Sequence, residues 1–203
     1  MIKKIYDWVL TLADKSYSQA ALFGLAFIEP FIFPVPPDVL LMPMCLGARL
    51  KSLRFAVICT IGSLAGAGIG YSIGHFLWWS GDGQFSAIAC WFFNHVPGFS
   101  DTQFFKIQNL YERYNFWIVF AAAFTPIPFK VITITAGAFK INFMMFLVAS
   151  TIGRAGRFFL VAGLFRIFGK PVKAFIDKYF NILSIIFMIL IISGVFTLKF
   201  LLG

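Results

Sequence analysis

An all-α integral membrane fold is the class this sequence predicts, and three observations predict it. Of 203 residues, 60% are hydrophobic and only 12% are charged, where a soluble globular chain carries roughly a quarter charged residues. Phe alone occurs 28 times, more apolar side chain than a soluble domain of this size can remove from water, because small domains keep much of their surface exposed. The apolar residues come in long runs, with the basic residues gathered in short clusters between them. Lipid is the solvent that accepts such a chain, and the length is that of a single membrane domain over 1–203.

A formal net charge of +9 admits nucleic acid as a partner, but the placement of the charges argues against it. Lys3, Lys4 and Lys15 form one cluster, Arg49, Lys51 and Arg54 a second, and Arg166, Lys170, Lys173 and Lys178 a third. Basic clusters that separate apolar runs are the signature of cytoplasmic loops. The cysteines, Cys45, Cys59 and Cys90, lack metal-ligand spacing and read as small buried hydrophobes. Neither a metal nor an organic cofactor is expected. A cleavable leader is not expected either, since Asp7 and Asp14 interrupt any apolar stretch near the start.

Residues 1–18 predict a short helix on the membrane surface, with Ile5, Trp8, Val9 and Leu12 on one face. The first repeat unit, 19–79, opens with an apolar run broken by Pro30, Pro34, Pro36, Pro37 and Pro43. A smooth spanning helix does not hold so many prolines, each lacking an N–H and crowding the preceding turn. Irregular backbone at membrane depth survives only where protein or a water-filled cavity surrounds it, so this run predicts a re-entrant hairpin. Residues 55–79 predict a spanning helix, long enough to cross about 30 Å of hydrocarbon. Gly62, Gly66, Gly70 and Gly74 line one face of it, a pattern that lets a neighbouring helix approach closely.

The linker, 80–114, is the most polar stretch and carries a net charge of −1, from Asp82, Asp101 and Glu112 against Lys106 and Arg113. Ser100 or Asp101 would cap a helix there, with Phe104, Ile107, Tyr111 and Tyr114 on one face. This segment is expected at the non-cytoplasmic interface. The second unit, 115–168, repeats the plan: a broken run around Pro126 and Pro128, then a helix over 143–168 containing Arg154 and Arg157. A final apolar segment, 179–202, predicts one more spanning helix, whose topological side depends on how the hairpins are counted.

The two units share a register. Pro34 pairs with Pro126, Pro36 with Pro128 and Asp38 with Lys130 at an offset of 92; Gly47 pairs with Gly137 at 90; Phe55 pairs with Phe146 and Gly62 with Gly153 at 91. With Arg49–Arg54 cytoplasmic, the first spanning helix ends outside, and the second returns to the basic cluster at 166–178. The units therefore point in opposite directions, as inverted repeats with broken helices do in many secondary transporters.

Glu29, Asp38, Lys130, Arg154 and Arg157 all fall within apolar runs. A charge at the bilayer centre costs roughly 2.5–3.5 kcal/mol even on lenient scales, so such residues face a cavity and mark a pathway. The register suggests that Asp38 and Lys130 meet across the repeat axis. Each residue also has a plainer reading. Glu29 pairs structurally, Asp38 caps the following helix, Lys130 snorkels to the interface, and the arginines, three apart on one helix face, satisfy the first hairpin's carboxylates. As a set, Lys130, Arg154 and Arg157 suit a phosphate, Arg in bidentate fashion. Glu29 and Asp38 suit a coupling proton, since low dielectric disfavours an ionised carboxylate.

Glu29, Pro34, Pro36, Asp38 and the pair Gly70-Tyr71 resemble the first half of the DedA family, also called the SNARE-associated or VTT-domain family. The run from Phe124 to Lys130, followed by Gly153-Arg154-Ala155-Gly156-Arg157-Phe158, is similar to its YqaA-type branch. The resemblance covers about 20–165, most of the chain. It implies a multi-pass bacterial inner-membrane protein with two re-entrant hairpins. It also implies lipid translocation, of undecaprenyl phosphate or phospholipid, linked to the proton-motive force, with Glu29 and Asp38 as the family's acidic pair. Typical members carry Arg where this chain has Ala123 and Phe129; Lys130, Arg154 and Arg157 are the cations available in their place.

The leading expectation is a flippase-like or scramblase-like translocator whose partners are membrane lipids with an anionic phosphate headgroup, together with protons and, on association, further copies of the chain. An ion or small-solute transporter shares the broken-helix layout, and a membrane scaffold or assembly factor is a third reading. Enzymatic function is not expected, because His75 and His95 sit in no recognisable catalytic motif.

Overall fold

The computed structural model describes residues 17–81, 84–95, 101–125 and 128–169. Among them the fold is all-helical; the one extended pairing is a bridge between Trp79 and Phe85. The elements are α1 (Ser18–Ile28), α2 (Asp38–Gly47), a 3-10 turn (Arg49–Lys51), α3 (Ser52–Trp78), α4 (Ala87–His95), α5 (Asp101–Phe124), α6 (Phe129–Ala138) and α7 (Phe143–Phe168). The surface helix expected before residue 17 and the spanning helix expected over 179–202 lie outside the described residues.

The proline clusters end helices where the sequence says they must. α1 stops at Ile28, and the N–H groups of Phe31, Ile32 and Phe33 all turn back to the Ile28 carbonyl. Pro37 and Pro128 stand at the N-caps of α2 and α6, where a missing N–H costs nothing. Asp38 is therefore the first residue of α2, and no side chain caps that helix. The carbonyls left free at the two breaks find side-chain donors. Thr133 of α6 donates to Pro30 at 2.5 Å, and Arg157 of α7 donates to Thr125 at 2.7 Å. In lipid every backbone polar group must be satisfied inside the protein, and these two bonds do so across elements far apart in sequence.

α3 and α7 are the two described helices long and apolar enough to cross a membrane. α7 has the bounds the sequence predicts, while α3 starts three residues earlier than expected, at Ser52. α5 runs through the expected boundary between linker and second unit, and its backbone leaves helical values at Asn115 (φ 14°, ψ −87°). That kink separates its polar first half from its apolar second half. On the first half Phe104 and Tyr111 are buried and Ile107 is half-buried, but Tyr114 is exposed and leaves the predicted face. Cys90 is likewise exposed, while Cys45 and Cys59 are buried as small hydrophobes.

α3 is the central post. α1, α6 and α7 pack on it, α5 and α2 pack on α7, and α2 also touches α3. The glycine face of α3 seats two different elements. A Cβ on Gly62 or Gly66 would meet the backbone of α1 at Phe23 or Phe27; one on Gly74 would collide with the Ile134 carbonyl of α6. Gly137 of α6 returns the contact, against the carbonyl of Tyr71. Leu22, Leu41, Phe55, Cys59, Phe158 and Phe165 form one buried cluster, and Phe104, Phe129, Phe139 and Phe146 belong to a second. Meanwhile Ile61 and Phe76 of α3 and Met144 and Ile167 of α7 are 57%, 76%, 68% and 72% exposed, whereas Glu29, Asp38 and Arg154 are buried. Apolar outside and charged inside is the arrangement a lipid solvent selects.

Candidate functional site: two buried ion pairs at a helix break

The site forms where α7 passes the break between α1 and α2. Glu29 follows the last residue of α1 and Asp38 opens α2, so the nine-residue break presents one carboxylate at each edge. α7 presents Arg154 and Arg157 to them, one helical turn apart. Arg154 pairs with Glu29, and Arg157 pairs with Asp38 at 2.5 Å.

The two arginines differ in how completely they are held. The Nε of Arg154 donates to Ser63 of α3 at 2.7 Å, and its guanidinium lies between the rings of Phe129 (4.6 Å) and Phe158 (5.0 Å). At 1% exposure this side chain is enclosed on every side. Arg157 is only half-buried; it donates to the Thr125 carbonyl and to Oδ2 of Asp38. Oδ1 of Asp38 is buried and has no hydrogen-bond partner among the described residues. A buried charge stripped of its partner is strongly unfavourable, so Arg154 and Glu29 form a lock. Asp38 keeps an oxygen free to accept a hydrogen bond, and Arg157 keeps part of its side chain exposed.

The other predicted residues lie as follows. Lys130, in the first turn of α6, is half-buried and forms no ion pair among the described residues; the cation on Asp38 is Arg157 and not Lys130. Ser63 and Arg154, which are hydrogen-bonded, stand 91 residues apart, the offset expected for Gly62 and Gly153. That register is the signal by which Ser63 is detectable. Phe129 and Phe158 also lie against Arg154; both stand in the runs that carry the family resemblance, but nothing in those runs points to this contact. Pro34, Pro36 and Pro128 are exposed at the breaks, and Pro126 lies outside the described residues. Gly62, Gly66, Gly70 and Gly74 face α1, the first break and α6; Gly70 lies against Pro30 and Thr133. His75 stacks on Tyr71 at 6.4 Å, and His95 is exposed beside the Trp91 carbonyl.

Two ion pairs buried among apolar clusters, at a break in a helix and behind an apolar exterior, are compatible with a membrane protein. Residues 35–167 match the VTT domain family. An uncharacterized protein of Haemophilus influenzae is 30% identical over 195 residues, covering 96% of each chain. An uncharacterized protein of Histophilus somni is 30% identical over 170 residues, 84% of each chain. No solved structure matches. The chain belongs to the VTT-domain, or DedA, family of membrane proteins.

Proposed function

We propose that this protein moves a lipid bearing an anionic phosphate headgroup across the bacterial inner membrane, with exchange at the Asp38–Arg157 pair as its working step. The observation that carries the reading is the unequal pairing. Each arginine donates two hydrogen bonds, but Arg154 is enclosed at 1% exposure by Glu29, Ser63 and two rings, while Arg157 is half-buried and faces a carboxylate with an unpartnered oxygen. A phosphate takes a guanidinium in bidentate geometry better than a single carboxylate oxygen does. Protonation of Asp38 releases Arg157 to the phosphate, and deprotonation draws it back, so proton movement and headgroup movement are linked. Lys130, a second cation with no described ion pair, extends the path on the α6 side.

Membership of a membrane-protein family supports this reading. So does the recurrence of one plan, a broken helix followed by a long one, in α1–α2–α3 and in α5–α6–α7. We take the two as oppositely oriented repeats with re-entrant hairpins, in a multi-pass protein similar to the YqaA-type branch. The packing fits: α1 lies on α3 as α5 lies on α7, and each short helix after a break packs on the long helix of the other unit. The test is transbilayer movement of labelled phospholipid and of undecaprenyl phosphate in liposomes holding the wild type or Asp38→Asn. Movement with the wild type that the variant loses is the expected result. Ion or solute flux with neither lipid moving, in folded protein, would instead favour a small-solute transporter of the same layout.

A further inference from the structure

A second feature lies away from the ion pairs, on the outer face of α3. An open cavity of about 580 Å³ runs along the half of α3 farther from Arg49–Lys51, lined mainly by Gly68, Ile69, Ser72, Ile73, Phe76 and Phe143. Its lining is almost wholly apolar, and the one hydroxyl in it, Ser72, spends its proton on the Gly68 carbonyl at 2.9 Å. Gly68 leaves room, since a Cβ there would meet nothing within 4 Å. From Ala65 to Leu77 the cavity follows α3 for about 18 Å. One leaflet of hydrocarbon is about 15 Å deep, half of a ~30 Å core.

A positive charge lies beyond the Leu77 end of this groove, outside its lining. Trp79 follows the lining residue Leu77 by two positions, and its Nε1 donates to the Ala138 carbonyl at 2.6 Å, which fixes the indole. The ammonium of Lys140 sits 3.8 Å from the centre of that indole. Lys140 precedes the lining residue Phe143 by three positions, so their Cα atoms are within about 11 Å. The side chain is exposed, with no carboxylate on it among the described residues. An open apolar groove about one leaflet long with a cation beyond its end complements an amphiphile with an anionic head. A packed helix would need no such charge.

We infer that this groove binds one anionic phospholipid, an acyl chain lying along Gly68, Ser72 and Phe76 and the phosphate on Lys140. It adds a docking site outside the ion pairs to the lipid-translocation reading, and only that consequence rests on the reading. The test uses the purified full chain in detergent, titrated with phosphatidylglycerol or phosphatidylcholine of equal chain length, with bound lipid counted by native mass spectrometry. The wild type prefers phosphatidylglycerol by about tenfold, as a hydrogen bond to a charged group allows. Lys140→Gly loses the preference without losing thermal stability, because Lys140 has φ +54°, a conformation glycine adopts freely. Lys140→Arg keeps the preference, and Gly68→Leu loses both lipids.

Equal binding of the two lipids by the wild type overturns the inference, as does a preference that survives Lys140→Gly. So does a Gly68→Leu variant that keeps its lipid and changes oligomeric mass, which would make the groove a seat for a second copy of the chain. No transport is measured, so failure here is distinct from failure of the translocation reading.

Discussion

Replacing Arg154 with Met tests whether the buried charges act as a pair. The substitution strands the Glu29 carboxylate, which is 7% exposed, and removes the bond to Ser63 and the stacking on Phe129 and Phe158. Breaking a buried ion pair from one side costs about 3–5 kcal/mol. In a chain of this length each kcal/mol moves the melting temperature by about 2–4 °C, so a drop of roughly 6–20 °C is expected. Glu29→Gln strands Arg154 in the same way, with a cost of similar size. The double variant leaves no unpaired charge, and Met fills the slot between the two rings. It keeps only the cost of a buried neutral amide, about 1–3 kcal/mol, and is therefore expected to be clearly more stable than the two single losses summed. The assay is thermal unfolding in one detergent, with all four proteins at equal concentration. Independent sites add to within about 0.5 kcal/mol, so a double variant as unstable as the two singles summed would refute the pairing argument.

Three further outcomes are expected. Gly74→Leu drives a side chain into the Ile134 carbonyl and should cost about 2 kcal/mol or more, as overpacking does, while Gly68→Ala, which meets nothing within 4 Å, should be neutral or stabilise by up to about 1 kcal/mol. Comparing their melting temperatures separates steric from compositional effects on one helix. Asn142→Ala removes the side-chain acceptor of the Met145 N–H at 3.0 Å and should cost about 1 kcal/mol, the usual value of an N-cap. Arg157→Lys, unable to span Thr125 and Asp38 with a rigid fork, should fold but lower lipid movement in liposomes. Transport equal to the wild type would remove Arg157 from the working step.

How much of the fold and the site is legible in the sequence varies by element. The long helix over 143–168 is readable to the residue, because an apolar run between Asn142 and Gly169 has a capping side chain at one end and a glycine at the other. Both helix breaks are readable from proline chemistry alone. The charged residues are readable as a set, since each is out of place in an apolar run, but their pairing is not. The expected register brings Lys130 near Asp38, whereas the cation paired with Asp38 is Arg157. The glycine face is legible as a contact surface, but not the fact that its two halves hold different elements.

The sequence by itself determined composition-level matters: a lipid-solvated, all-helical chain, the positions of its breaks, and which residues are too costly to face hydrocarbon. These follow from local properties, the missing N–H of proline and the solvation of charge, which act wherever the residue finds itself. Only the tertiary structure decided which carboxylate meets which arginine, that Ser63 and two phenylalanines enclose Arg154, and that Thr133 closes the carbonyl of Pro30, 103 residues away. Such contacts depend on the crossing of α3 with α7 and on backbones brought together at glycine. A crossing geometry is a property of two surfaces at once and is written in neither segment alone.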